Sequence, residues 1–177
     1  RRPRLQEVVI DGQPSLINAL GLPGKGIELM ALSLKKSGLL EFDRPIGLSL
    51  GGHCVQDYQE ALLQYEAHFK GFQQLYYELN ISCPNTKKGQ DLTQNIDLLK
   101  ELLSFCRQNT NSVISVKLTP DLHNDQLNTI ASTISKFDHM MITIGNTTRR
   151  TCKQVHLPDH AISIGAGGLS GPSLYPR

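Results

Sequence analysis

The sequence predicts an α/β fold built on a parallel sheet. Three observations carry that expectation: amphipathic stripes at helical spacing alternate with short apolar runs, glycines punctuate the joins, and polar side chains gather toward the C-terminal ends of the runs. A strand, a helix and a second strand at this spacing imply crossover connections. Crossovers of that kind are right-handed and leave their strands parallel.

The elements follow in order. Ile27, Met30, Ala31 and Leu34 share one helical face, with Lys35 and Lys36 placed favourably in the last turn and Gly38 as the stop. The run from Pro45 to Leu50 reads as the first strand and ends at Gly51 and Gly52. A second helix carries Tyr58, Leu62, Tyr65 and Phe69 on one stripe, and Gly71 separates it from a strand over Leu75 to Ser82. Leu92, Ile96, Leu99, Leu103 and Cys106 form the third stripe. After it, Asn109 to Ser112 turns into a strand over Val113 to Thr119. The fourth stripe, Leu127, Ile130, Ile134 and Phe137, precedes a strand over Met140 to Gly145. Such stripes pack a core. No internal repeat or low-complexity tract interrupts the pattern.

At 177 residues, with 39% hydrophobic and 19% charged residues, the chain is large enough to bury a core. A formal charge of +2 argues against a nucleic-acid partner, and the basic start, Arg1-Arg2-Pro3-Arg4, reads as a solvated terminus. No run approaches the roughly 18 to 20 apolar residues that span a bilayer, and no signal-peptide core follows the basic start. A soluble chain is expected. Cys54, Cys83, Cys106 and Cys152 form no Cys-x-x-Cys pair and no zinc spacing with the six histidines, so no metal is expected. Reduced thiols in a cytoplasmic compartment are the simplest account.

Function is most legible in Glu78-Leu79-Asn80-Ile81-Ser82-Cys83-Pro84-Asn85-Thr86. A thiol at a strand tip can move a proton, the amides of Asn80 and Asn85 can orient a polar ring, and Pro84 ends the strand so that the loop can turn over a ligand. A lone cysteine is more often a packed structural thiol; the flanking asparagines tip the reading toward chemistry. Ser49, Asn80, Ser82, Lys117, Asn146 and Thr147 all fall at or just beyond C-terminal strand ends, where parallel α/β folds place their sites. A lysine inside an apolar strand is costly without a partner. Lys117 is therefore read as a ligand contact, its structural alternative being a buried pair with an acid such as Asp121.

Six blocks stand in a telling order: Asn18-Ala19-Leu20-Gly21-Leu22-Pro23, Pro45-Ile46-Gly47-Leu48-Ser49, Glu78 to Thr86, Val116-Lys117-Leu118-Thr119-Pro120-Asp121, Gly145-Asn146-Thr147-Thr148, and Gly167-Gly168-Leu169-Ser170-Gly171-Pro172. Together they resemble the dihydroorotate dehydrogenase family, FMN enzymes of de novo pyrimidine biosynthesis. The resemblance implies a TIM-type (β/α)8 barrel of which the chain holds about the central four units. A closed barrel has eight strands and ~250 residues, so the resemblance also implies two strands before Arg1 and two after Arg177, and residues 1–177 expressed alone are expected to be inactive. The whole chain is read as part of one FMN-binding barrel domain.

Carried over by position, the family pattern makes Cys83 the general base that takes a proton from C5 of dihydroorotate while a hydride leaves C6 for the flavin. FMN contacts are implied for Ser49, Asn80, Lys117, Gly145, Ser170 and Gly171; at Ser49 and Gly145 the family commonly has asparagine and threonine. Substrate contacts are implied for Asn18, Leu20, Gly21, Leu22, Asn80, Asn85, Asn146 and Thr147. Lys117 would stabilise the charge that reduction creates on the flavin. Cysteine as base resembles the soluble branch of the family, whose second electron acceptor is fumarate, or NAD through a partner subunit; a quinone is the acceptor of the membrane-associated branch. A homodimer is within the resemblance. Two rival readings are a flavin barrel of the dihydropyrimidine dehydrogenase type acting on uracil or thymine, and a non-catalytic scaffold derived from such a barrel.

Overall fold

The computed structural model of the protein describes residues 4–82, 91–149, 163–164 and 167–174. In chain order the elements are β1 (Leu5–Ile10), β2 (Gln13–Asn18), α1 (Ile27–Lys36), β3 (Ile46–Leu50), α2 (Val55–Phe69), β4 (Leu75–Asn80), α3 (Ile96–Asn109), β5 (Ile114–Leu118), α4 (Asn124–Ile134), β6 (Met140–Ile144) and β7 (Gly168–Ser170). The chain divides into two units. One comprises Gly24–Leu118 and His123–Thr143; the other comprises Arg1–Pro23, Thr119–Leu122 and Ile144–Arg177.

The larger unit realises the predicted α/β alternation. Its parallel sheet runs β3, β4, β5, β6. Ile46 pairs with Leu75 through to Leu50 with Leu79, and Tyr77 pairs with Ile114 through to Asn80 with Lys117. Paired residues in a parallel sheet point to the same side, so the two-residue alternation sorts the sheet into two faces. Leu48, Leu50, Leu75, Tyr77, Leu79, Ile114, Val116 and Leu118 form one face, and all are buried. Gly47, Ser49, Tyr76, Glu78, Asn80, Ser115 and Lys117 form the other, which is predominantly polar.

Helices close the apolar face. Tyr58, Leu62, Tyr65 and Phe69 of α2 are buried as their spacing predicts, and Tyr65 meets Tyr77 at a ring separation of 6.5 Å. Leu99, Leu103 and Cys106 of α3 and Ile130 and Ile134 of α4 are buried likewise; Leu102 and Thr133 join them from outside the predicted stripes, whereas Ile96, Leu127 and Phe137 are only half-buried. Each fully buried leucine contributes roughly 1.5 to 3 kcal/mol of transfer free energy. That burial holds the polar face in place.

Element ends depart slightly from expectation. Helix α4 stops at Ile134 instead of reaching Phe137, because bonds from Lys136 to Thr133 and from Phe137 to Ile134 tighten the last turn. Strand β4 stops at Asn80, where Ile81 donates to the Leu79 carbonyl and turns the chain. No helix among the described residues is long and apolar enough to cross a membrane.

The smaller unit holds structure that the stripe pattern did not announce. Strands β1 and β2 form an antiparallel hairpin from Leu5 paired with Asn18 to Ile10 paired with Gln13. Its turn is Asp11-Gly12, at φ 50° and 75°, the two left-handed residues that a tight hairpin needs to follow the strands' twist. Strand β7 adds to β2, and Val8, Ile10, Ile17, Ile164 and Leu169 make the small core. Arg4 is not merely solvated, since its guanidinium reaches the Ala19 and Leu20 carbonyls and so braces the exit of β2.

Candidate functional site

In the larger unit the polar face of the sheet carries a connected cluster. Ser49 Oγ donates to Glu78 Oε1 at 2.9 Å, and Lys117 Nζ donates to the same oxygen at 2.6 Å. Sheet register explains the arrangement: Ser49 sits directly opposite Glu78, and Lys117 lies opposite Asn80, one side-chain step further along the same face. Lys117 and Glu78 are each about one-fifth exposed, so the pair is largely withdrawn from water. One step behind, Ser115 Oγ and Thr143 Oγ1 share a hydrogen bond of 2.7 Å.

The acid that meets Lys117 is therefore Glu78 and not Asp121. Asp121 accepts instead from Thr148 Oγ1 and, at 2.9 Å, from the Arg149 amide. Alternation could have found Glu78, because it stands two residues before Asn80 on the same strand face.

Asn80 and Ser82 are tied to their surroundings through backbone groups as well. The Tyr58 hydroxyl donates to the Asn80 carbonyl at 2.9 Å, and Ser82 Oγ donates to the Lys117 carbonyl at 2.8 Å. Together these two bonds fix the end of β4. Cys83 and Asn85, with Pro84 and Thr86, lie outside the described residues. Cys106 is an inert thiol: it is fully buried in α3, and burial pushes its pKa up to about 12.

In the smaller unit Asn18, Thr147 and Gly168 come together. Asn18 Nδ2 donates to the Gly168 carbonyl at 3.2 Å, and its Oδ1 accepts from the Leu20 amide at 3.5 Å. Asn18 thus links the Leu20 backbone to that of Gly168. Leu20, Gly21 and Leu22 are exposed on that segment. Gly145 is an exposed residue just after β6, and Asn146 Oδ1 accepts from the Thr147 amide at 2.8 Å.

A two-bond bridge between Thr148 and Leu169 brings this stretch beside β7, and a Cβ at Gly168 would collide with Thr147 Oγ1. Ser170 Oγ donates to the Leu16 carbonyl at 3.3 Å. Gly171 adopts φ 141°, and a Cβ there would stand 2.5 Å from Ser15 Oγ, so a side chain is excluded on two grounds. The structure thus gathers Ser49, Asn80 and Lys117 in one unit and Asn18, Asn146, Thr147, Ser170 and Gly171 in the other.

Comparisons with known proteins give these groups a context. The family model for dihydroorotate dehydrogenase matches residues 1–177. A quinone-type dihydroorotate dehydrogenase of Sulfurovum sp. is 31% identical over 99% of this chain and 47% of its own length. One from Nitratiruptor sp. is 34% identical over 99% of this chain and 48% of its own. The chain spans about half the length of the curated relatives it matches. Among solved structures, the ligand-free dihydroorotate dehydrogenase of Eimeria tenella matches with a TM-score of 0.73 at 20% identity, over 98% of this chain and 54% of that one. That likeness supports the barrel fold.

Proposed function

The chain belongs to the dihydroorotate dehydrogenase family, and on that footing we propose that the intact protein oxidises dihydroorotate to orotate with FMN, in de novo pyrimidine biosynthesis. The observation that carries the reading is the pairing of Asn80 with Lys117 on a polar sheet face, with Ser49 joined to them through Glu78. A scaffold has no physical need for a cation, an amide and a hydroxyl side by side on a strand end. The two units are assigned to one FMN-binding barrel domain, which the family match across residues 1–177 supports.

The donor set fits a flavin. Lys117 would offer a cation to the ring edge that becomes electron-rich, Asn80 would pair with ring amide groups, and Ser49 would donate from the neighbouring strand. Ser170, Gly171 and Gly145 are the remaining residues proposed to hold FMN. When bound, FMN would supply the two-electron sink that takes the hydride from C6 of dihydroorotate. Cys83 would accept the C5 proton as the C5–C6 double bond forms. Asn18, Leu20, Gly21, Leu22, Asn80, Asn85, Asn146 and Thr147 would orient the pyrimidine ring and its carboxylate.

A quinone is the proposed electron acceptor, supported by the relatives' names. Cys83 favours a second reading with fumarate, or NAD through a partner subunit, as the acceptor. Cytoplasmic residence belongs with that second reading, in keeping with the free thiols Cys54 and Cys106, and a homodimer is proposed with either. Residues 1–177 alone are proposed to be inactive. Orotate formation by the intact protein, measured with a soluble quinone and then with fumarate, tests both levels. Orotate with quinone alone supports the first reading and orotate with fumarate alone the second. Turnover of uracil or thymine without any of dihydroorotate refutes both.

A further inference from the structure

We propose that Glu78 is a positioning residue that sets the reduction potential of the bound flavin through Lys117. The inference rests on the functional reading above, in which Lys117 touches FMN. Glu78 Oε1 is the common acceptor of Lys117 Nζ at 2.6 Å and Ser49 Oγ at 2.9 Å, so a single oxygen orients two of the groups assigned to the cofactor.

The geometry gives Glu78 two separate effects. As a hydrogen-bond acceptor it selects one placement for a side chain that otherwise has many rotamers, which removes ordering cost from the binding step. As an anion it offsets part of the Lys117 charge, with both side chains about one-fifth exposed and therefore weakly screened. A lysine paired in this way stabilises the electron-rich, reduced flavin less than an unpaired one would. Glu78 thereby keeps the bound flavin easier to reoxidise, which suits an enzyme that must pass two electrons on to an acceptor after each turnover.

The substitution Glu78→Gln separates the two effects, since the amide oxygen still accepts from Lys117 while the charge is gone. The test is the midpoint potential of bound FMN in the intact, flavin-loaded protein, measured by dye-equilibrated anaerobic reduction, together with oxidised-FMN affinity by fluorescence. E78Q is expected to raise the ratio of reduced- to oxidised-flavin affinity at least tenfold, an upward shift of about 30 mV for a two-electron couple. The shift should vanish in the Lys117→Met background.

Glu78→Asp, which keeps the charge, should return the potential toward that of the wild type. If E78Q does not fold, Glu78→Ala gives the reading: it also removes the charge, so the potential should rise, the rise should vanish with Lys117→Met, and a potential identical to wild type overturns the inference. A potential identical in wild type and E78Q, or a shift that persists without Lys117, overturns the inference alone. A wild-type protein that carries no flavin overturns the functional reading on which it rests.

Discussion

Tyr58→Phe removes one oxygen and leaves the aromatic packing of α2 in place. The Tyr58 ring is 1% exposed, and its hydroxyl donates at 2.9 Å to the carbonyl of Asn80, the last residue of β4. The hydrogen bond contributes roughly 0.5 to 1.5 kcal/mol net. Because ring volume is retained, no cavity cost is added. The expected loss is therefore about 1 kcal/mol. In urea this moves the midpoint down by about 0.5 M for a slope near 2 kcal/mol per molar, with the slope itself unchanged. The same change removes one of the bonds at the strand end that carries Asn80, so FMN affinity in the intact protein should fall severalfold. A midpoint shift below roughly 0.2 M with unaltered FMN affinity would mean that neither the stability nor the placement of the strand end depends on this hydroxyl.

Further expectations concern other parts of the chain. Asp57 accepts from the His53 amide at 2.6 Å and the Cys54 amide at 3.2 Å at the start of α2, and these bonds hold its carboxyl below the usual value of 3.8. Asp57→Ala should cost about 1 kcal/mol at neutral pH; because the folded-state value is the depressed one, the difference from wild type should shrink as pH falls below 3.8, read as converging melting temperatures. Gly171→Ala should destabilise by more than roughly 1 kcal/mol in urea, since its φ of 141° and the nearby Ser15 both exclude a side chain. Cys83→Ala should lower dihydroorotate oxidation by roughly 10² to 10⁴ with flavin retained, whereas Cys83→Ser should keep partial activity with its pH optimum moved upward. Lys117→Ala should weaken FMN binding or slow flavin reduction more than it lowers the melting temperature. The reverse pattern in stopped-flow and thermal melts would make the Glu78 contact purely structural.

The larger unit was legible because its signals are periodic and local. Tyr58, Leu62, Tyr65 and Phe69 at helical spacing, and Leu75, Tyr77 and Leu79 at spacing of two, each announce one buried face, and both faces are buried as expected. The β1–β2 hairpin carries no amphipathic stripe; its signal is the turn itself, Asp11-Gly12 between Ile10 and Gln13. Strand β7 is three residues long and owes its extension to β2 and to the Thr148 bridge, so no local pattern could declare it. Within the site, the motif points to Asn80 and Lys117, and alternation puts Glu78 on the face of Asn80, but its pairing with Ser49 and Lys117 depends on the register that aligns the three strands. Charge pairing between strands is a tertiary property. It follows from alignment of strands far apart in sequence.

If this chain's polar groups serve flavin-mediated oxidation of dihydroorotate, the intact purified protein is yellow, and an anaerobic titration with dihydroorotate, following flavin absorbance and the orotate released, bleaches it stoichiometrically with one orotate per flavin. A colourless protein, or a yellow one that dihydroorotate leaves unbleached, would rule that chemistry out.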